Sequence, residues 1–237
     1  MARTIDVRAH QRKRGAILDI LERLIATKGY DQLTIADIMS GGAISKGAFY
    51  HYFRSKSEVL SALLERRVNA WRDVLIPVVE ADRPALPRLR EFFHVIAEQK
   101  TTDNAFLLEV AAPVFADENV LVYARTRRAA AELFIPLVQQ LLEDARREGS
   151  VQMDDAEATA EVVISLIQDL SDRIGRALVA MAQGADEPNR LQRIAAAHLD
   201  ALHRVLGVEP GVLDFLEPEM LEAWAAAAQG RQMEKRR

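Results

Sequence analysis

Cysteine is absent from these 237 residues. That excludes a disulfide framework and any thiolate metal site, and it suits a reducing cytoplasm. No apolar run is long enough to span a bilayer, and the opening MARTIDVRAHQRKRG is basic without the apolar core of a signal peptide. A cytoplasmic setting is therefore expected. No segment alternates with strand period, none repeats every 20–50 residues, and none is of low complexity. Catalytic signatures are missing too. The histidines at 10, 51, 94, 198 and 203 form neither H-x-x-x-H nor H-E-x-x-H, and there is no G-x-S-x-G, P-loop or G-x-G-x-x-G. The adjacent Asp154 and Asp155 stand at a helix start, where the helix dipole explains them without chemistry. The expectation is a protein that is not an enzyme, with no cofactor and no metal.

What is present is the composition of an ordinary globular chain, 49% hydrophobic and 28% charged. The net charge of −4 conceals an asymmetry. Residues 1–67 hold 12 Lys/Arg against 7 Asp/Glu, net +5, and the other 170 hold 19 against 28, net −9. A basic end on an acidic body is the footprint of a chain whose one end meets a polyanion.

The stretch 34–56, TIADIMSGGAISKGAFYHYFRSK, lies in that basic end. Ile35, Ile38 and Met39 recur at helical spacing with Thr34 placed to cap them, and Gly41-Gly42-Ala43 breaks the run. Ser45 can cap a second short helix. Its apolar side is Ala48, Phe49, Tyr52 and Phe53, which leaves Lys46, Gly47, Tyr50 and His51 elsewhere on its surface. Two short helices around a glycine-containing turn form the helix-turn-helix pattern, whose second helix enters the major groove. Lys46 can reach phosphate or guanine, Gly47 allows close backbone approach, and Ala48 can touch a thymine methyl. Tyr50 and His51 can reach phosphate oxygens. Thr34, and Ser55 with Lys56, open helices whose N-terminal dipoles suit phosphate. Arg3, Arg8, Arg12, Lys13 and Arg14 extend the positive charge, and residues 1–9 are expected to form a mobile arm.

Taken together, Thr34-Ile35, Ile38, Ser45-Lys46-Gly47, Phe49-Tyr50-His51-Tyr52-Phe53, Lys56 and Val59-Leu60 resemble the TetR family of bacterial transcriptional regulators. The likeness covers roughly the first quarter of the chain. It implies DNA contacts from Thr34, Ser45, Lys46, Gly47, Ala48, Tyr50, His51, Tyr52 and Lys56. One departure stands out. Where the family reads A-G-[VI]-S, this chain has Gly42-Ala43-Ile44-Ser45, so Ala43 is expected to take a positive φ and to re-aim the recognition helix.

The rest of the chain reads as helices. Apolar positions at threes and fours predict helices over 10–28, over 57–80 as one rigid rod, and over 86–100 and 103–113. A helix over 118–149 should be kinked by Pro136, and two more follow over 154–184 and 188–207. A short helix and an Ala-rich one around Trp224 come last, then a solvated basic tail, RQMEKRR. The fold class expected is all-α: a three-helix helix-turn-helix domain over 1–54 and a helical effector-binding and dimerisation bundle over 55–237.

Helices 154–184 and 188–207 carry more apolar surface than one neighbour can cover, which suggests a second subunit. The resemblance implies a four-helix homodimer seam there, through Val163, Leu166, Ile167, Leu170, Ile174, Leu178, Leu191, Ile194, His198, Leu202 and Val205. It also implies an effector pocket in the body, with Trp71, Phe92, Phe93, Phe106, Phe115, Tyr123, Phe134 and Gln168 as lining. An aromatic at helical spacing is ordinarily core, so about half of these are expected to face no cavity. His94, Asp169, Asp172 and Arg173 face either a ligand or one another as surface ion pairs. The function implied is a dimeric, ligand-responsive repressor of a palindromic operator. The partners are duplex DNA, a second copy and a small molecule. A helical ligand carrier or scaffold that never touches DNA is the alternative class, and a small helical enzyme the more distant rival.

Overall fold

Helix is present from the first described residue, Val7. The computed structural model describes residues 7–185, 187 and 189–235, and among these the regular structure is helical throughout. α1 (Val7–Lys28) buries Ile17, Leu18, Leu21 and Ile25 along one stripe. It stops at Gly29, which takes φ +76 and returns its N–H to the Ile25 carbonyl at 3.0 Å. Helix thus starts inside the expected 1–9 arm, while Arg3 lies outside the described residues.

α2 (Ile35–Gly41) opens on a capping box. Thr34 N–H donates to Asp37 Oδ2 (2.8 Å) and Asp37 N–H to Thr34 Oγ1 (3.2 Å), which satisfies two of the helix's orphan donors. The Lys28 ammonium and the Thr34 hydroxyl hold the Asp37 carboxyl down at about 2. α3 (Lys46–Tyr52) starts from Ser45, whose hydroxyl accepts from Ala48 N–H at 3.3 Å. Phe49 and Phe53 are sealed against α1, with Ile38 beneath them.

α4 (Lys56–Ala70) repeats the capping box. Glu58 N–H donates to Ser55 Oγ and Arg54 N–H to Glu58 Oε2. The rod expected over 57–80 is in fact two helices. α4 ends at Trp71, and α5 (Arg72–Val79) starts from the same residue. Trp71 N–H bonds the carbonyl three residues back, at Val68, and its ring stacks on Phe134 at 5.9 Å and 7°. Apolar spacing runs on through this junction, because a turn of three or of four keeps one side inward. Periodicity therefore cannot detect the break.

The body continues with α6 (Ala85–Thr102), α7 (Asn104–Phe115), a 3₁₀ turn (Asp117–Asn119) and α8 (Val120–Arg147). α9 (Ala156–Ala182), α10 (Arg190–Leu206) and α11 (Pro218–Lys235) complete it. Pro136 sits inside α8 without ending it. The expected start at 188 is outside the described residues; α10 is preceded by Asn189 in the left-handed region, φ +57. The segment expected as a basic tail is helical through Lys235, and Arg231 is ion-paired with Glu109 of α7.

Apolar burial gathers into two main cores. One joins α1, α2, α3 and α4 as far as Leu64, and it also takes in Val110 of α7 and Val122 of α8. The other joins α5 and α6 to α8, α9, α10 and α11 around Phe92, Leu141, Val163 and Leu202. At the far end of the body Arg88 of α6 is buried. It donates to the Val79 carbonyl (2.5 Å) and to Asp144 Oδ2 of α8 (2.8 Å), while Glu148, just past the end of α8, accepts from Ala85 N–H and so caps α6. No described helix is long and apolar enough to cross a membrane. Removing a buried guanidinium strands its partners. Arg88→Ala is therefore expected to lower the unfolding free energy by about 3 kcal/mol, read from urea denaturation.

Candidate nucleic-acid interface and an adjoining cavity

With Phe49 and Phe53 turned inward, the other face of α3 meets solvent. Lys46, Gly47, Ala48, Tyr50 and His51 are all exposed, Tyr50 by 46%. A Cβ placed on Gly47 would meet nothing within 4 Å. The chain's own packing therefore does not call for glycine there, whereas close approach of another molecule's backbone does. Tyr52 is half-buried, its ring 4.7 Å from that of His10, which also meets His51 edge-on at 5.5 Å. Arg12, Lys13 and Arg54 are exposed on the same unit.

In the turn between α2 and α3 the positive φ expected at Ala43 is found. That residue takes φ +49, and Gly42 instead adopts φ −121. The glycine serves packing, since a Cβ on Gly42 would lie 2.3 Å from Ile20 Cδ1. Thr34 and Ser45 are exposed, but their hydroxyls are already engaged in the caps of α2 and α3.

Lys56 differs from its expected role as a free cation. Its ammonium donates to the carbonyls of Tyr30 (3.1 Å) and Leu33 (2.9 Å) and lies 4.1 Å from the centre of the Tyr30 ring. Burial lowers its pKa, and burial with Asp31 and Glu118 nearby pushes Tyr30 up to about 12. The lysine ties the α1–α2 connection to the head of α4. Its partners lie more than twenty residues away, so local spacing gives no sign of them.

The body holds a cavity of about 230 Å³ among α4, α6, α7, α8, α9 and α11. Of the expected lining, Phe93 and Phe115 face it. Trp71, Phe92 and Phe134 instead pack on one another in the body core. Phe106 lies under the Arg67 guanidinium at 4.2 Å. Tyr123 donates to Asp172 (2.6 Å), and Gln168 donates to the Arg127 carbonyl (2.9 Å). His94 contacts the Phe215 carbonyl, and Asp169 is bound by Arg173 and His198. The aromatics were legible as apolar, but which side of each helix meets empty space depends on the neighbouring helices. Sequence reasoning missed Lys100, Leu107, Ala111, Ser171 and Trp224, all of which line the cavity.

The seam residues divide in a similar way. Val163, Ile167, Leu170, Ile174, Leu178, Leu191 and Leu202 are buried within the single chain, and Ile167, Leu170, Ile174 and Leu178 line the cavity. They cannot form an outer seam as the chain stands, because each helix turns its strongest apolar stripe toward its own core. Leu166, Ile194 and His198 are half-buried and Val205 is exposed. Val162, on the same outer side of α9 as Leu166, is 48% exposed.

Three links join the α3 unit to the cavity. Leu64, Val110 and Val114 line the cavity and also pack in or against the first core. Arg67 of α4 binds Glu22 of α1 and, at 2.5 Å, Asp103 at the head of α7. Arg66 adds Asp19 and Glu22 of α1 at 2.6 and 2.8 Å.

A buried two-helix support presenting one polar helix, on an all-helical body with an apolar cavity, defines a helix-turn-helix protein with a regulatory bundle. A family model of the bacterial regulatory proteins of the tetR family matches residues 17–63. An uncharacterized HTH-type transcriptional regulator of Lactococcus lactis is 38% identical over 76 residues, which are 32% of this chain and 39% of that protein. The regulator EthR of Mycolicibacterium smegmatis is 33% identical over 98 residues, 39% of this chain and 45% of that protein. These matches thus span under half the length of either relative. The solved structure of a TetR-family transcriptional regulator from Pectobacterium atrosepticum superposes with a TM-score of 0.63 at 19% identity, over 86% of this chain and 98% of that one. Over residues 17–63 the chain thus carries the N-terminal domain of the bacterial regulatory proteins of the tetR family.

The turn yields a direct check. A left-handed alanine costs about 1–2 kcal/mol, and glycine's extra unfolded-state freedom offsets ~0.4–1 of that. Ala43→Gly should therefore raise unfolding free energy by up to about 1.6 kcal/mol, whereas Gly42→Ala should lower it because its Cβ lands on Ile20. Thermal melts of the two variants test both signs.

Proposed function

We propose that this chain is a ligand-responsive transcriptional regulator, a repressor that binds a near-palindromic operator in the cytoplasm as a homodimer. A small molecule in the body cavity releases it. The observation that carries this reading is the exposed row of Lys46, Gly47, Ala48, Tyr50 and His51 on a helix whose other side is sealed by Phe49 and Phe53. Residues 1–54 form the reading unit and 55–237 the regulatory body, with α4 shared between them. Lys46 and Tyr50 are the principal contacts, and Thr34 and Lys56 support the helices rather than reach the duplex.

A twofold arrangement puts two α3 helices about 34–36 Å apart, one turn of the duplex. The outer sides of α9 and α10, with Val162, Leu166, Ile194 and Val205, supply the apolar seam. Release works through the shared wall. A molecule that fills the cavity presses on Leu64, Val110 and Val114, which support the first core, and so alters the spacing of the two α3 helices. The coupling required is modest, about 1–3 kcal/mol between ligand and DNA.

Lys46→Ala and Tyr50→Ala should each weaken binding to the region upstream of the chain's own gene by roughly 1–3 kcal/mol. Lys46→Ala should also reduce the log–log salt slope by about 1. Fluorescence anisotropy in competitor DNA measures both; unchanged affinity and slope would remove the assignment. Val162→Asp combined with Val205→Asp should give a monomer in sedimentation, with operator affinity lost in parallel.

A further inference from the structure

The cavity wall is mostly apolar and carries charge at one point. Lys100 of α6 is its single charged residue, accompanied by the neutral Asn104, Thr126 and Ser171. The Lys100 ammonium donates to Ser171 Oγ of α9 at 2.8 Å. Among the described residues no carboxylate lies at ion-pair distance from it. The charged group that acts on it is Asp172 of α9, whose carboxylate is itself held by Tyr123 and Arg127 of α8. On the α7 side, Asp103 is bound by Arg67 and Glu109 by Arg231, and Arg176 of α9 lies over the Phe115 ring. An ammonium set in an apolar wall without a counterion, with one of its three donors met, is a costly arrangement unless something else completes it. Burial accordingly brings Lys100 down to about 8.

We propose that the cavity takes an amphiphilic monocarboxylic acid, its carboxylate seated on Lys100 and its apolar body lying between α6, α7 and α9. This names the ligand class of the effector site proposed above and rests on that reading. A single negative charge matches a single cation. A phosphate dianion would leave one charge unmatched in a wall that holds no second cation, and a thioester or alcohol would leave the ammonium unpaired. The Phe93, Leu107 and Ile174 side chains give the body an apolar bed. A cavity of about 230 Å³ suits a small amphiphile, such as a medium-chain fatty acid or a substituted aryl acid.

The test compares dodecanoate, dodecan-1-ol, dodecyltrimethylammonium and dodecanoyl-CoA on the full-length protein at pH 7, below their micellar concentrations. Calorimetry reads binding, with the intrinsic fluorescence of Trp71 and the cavity-lining Trp224 as a second signal. Dodecanoate is expected to bind at least 10-fold more tightly than the alcohol, and the cationic analogue more weakly still. Lys100→Met should abolish the preference for the acid while melting no lower than the wild type, because it removes an unpaired buried charge; Lys100→Gln serves as a second variant. Raising the pH from 7 to 9.5 should erode the preference as Lys100 loses its proton, with Lys100→Met flat across the range. Equal affinity for acid and alcohol, a preference that survives in Lys100→Met and Lys100→Gln, a preference that holds across that pH range, or tighter binding of the CoA thioester independent of Lys100 would each overturn the proposal. Operator release is read separately. Lys100-dependent binding of dodecanoate that leaves the DNA complex intact supports the ligand class and defeats the effector reading. Release by the alcohol with no preference for the acid does the reverse.

Discussion

The arrangement depends on a wall with two sides. Leu64, Val110 and Val114 close the core that holds α3 in place, and the same three residues bound the cavity in the body. Close-packed interiors do not deform smoothly, so a change in what occupies one side must be accommodated on the other. Arg67 reinforces the wall by binding Glu22 of α1 and Asp103 at the head of α7 while covering the Phe106 ring. A three-helix unit as small as α1 to α3 has little core of its own. Its position is consequently set by α4 and by whatever α7 does.

The reading face and the cavity follow opposite physical rules. On α3 the polar groups are exposed and their partners lie in solvent, so charge there is inexpensive and disposed toward long-range attraction. In the cavity one ammonium is held within apolar surroundings with a lone serine for company, and its protonation depends on what shares the space. The breaks between helices fit this division. Trp71, stacked on Phe134, separates α4 from α5, so that α4 can answer to the wall while α5 stays with the body core.

Much of the reading unit was legible from local signals. Thr34 with Asp37, Ser45, and Ser55 with Glu58 mark three helix starts within three or four residues of chain, and Gly41-Gly42-Ala43 marks the turn. Phe49 and Phe53 declare the inward side of α3 by spacing alone, and the left-handed Ala43 followed from one displaced glycine. The cavity was far less legible. Aromatic residues announce burial equally well in a core and at a void, so spacing does not separate Trp71, Phe92 and Phe134, which pack in the core, from Phe93 and Phe115, which line the cavity.

The sequence by itself determined the helical class, the caps and turn of the reading unit, its charge and the inward turn of Phe49 and Phe53, because each is settled among residues a few positions apart; Ala48, expected on that inward side, is exposed. Only the tertiary structure decided that Lys56 is occupied by the carbonyls of Tyr30 and Leu33. It alone turned the strongest stripe of α9 into the chain's own interior, and it alone left Lys100 facing empty space. The reason is geometric. A helical repeat tells which residues share a side, but what that side meets is fixed by helices dozens of residues away.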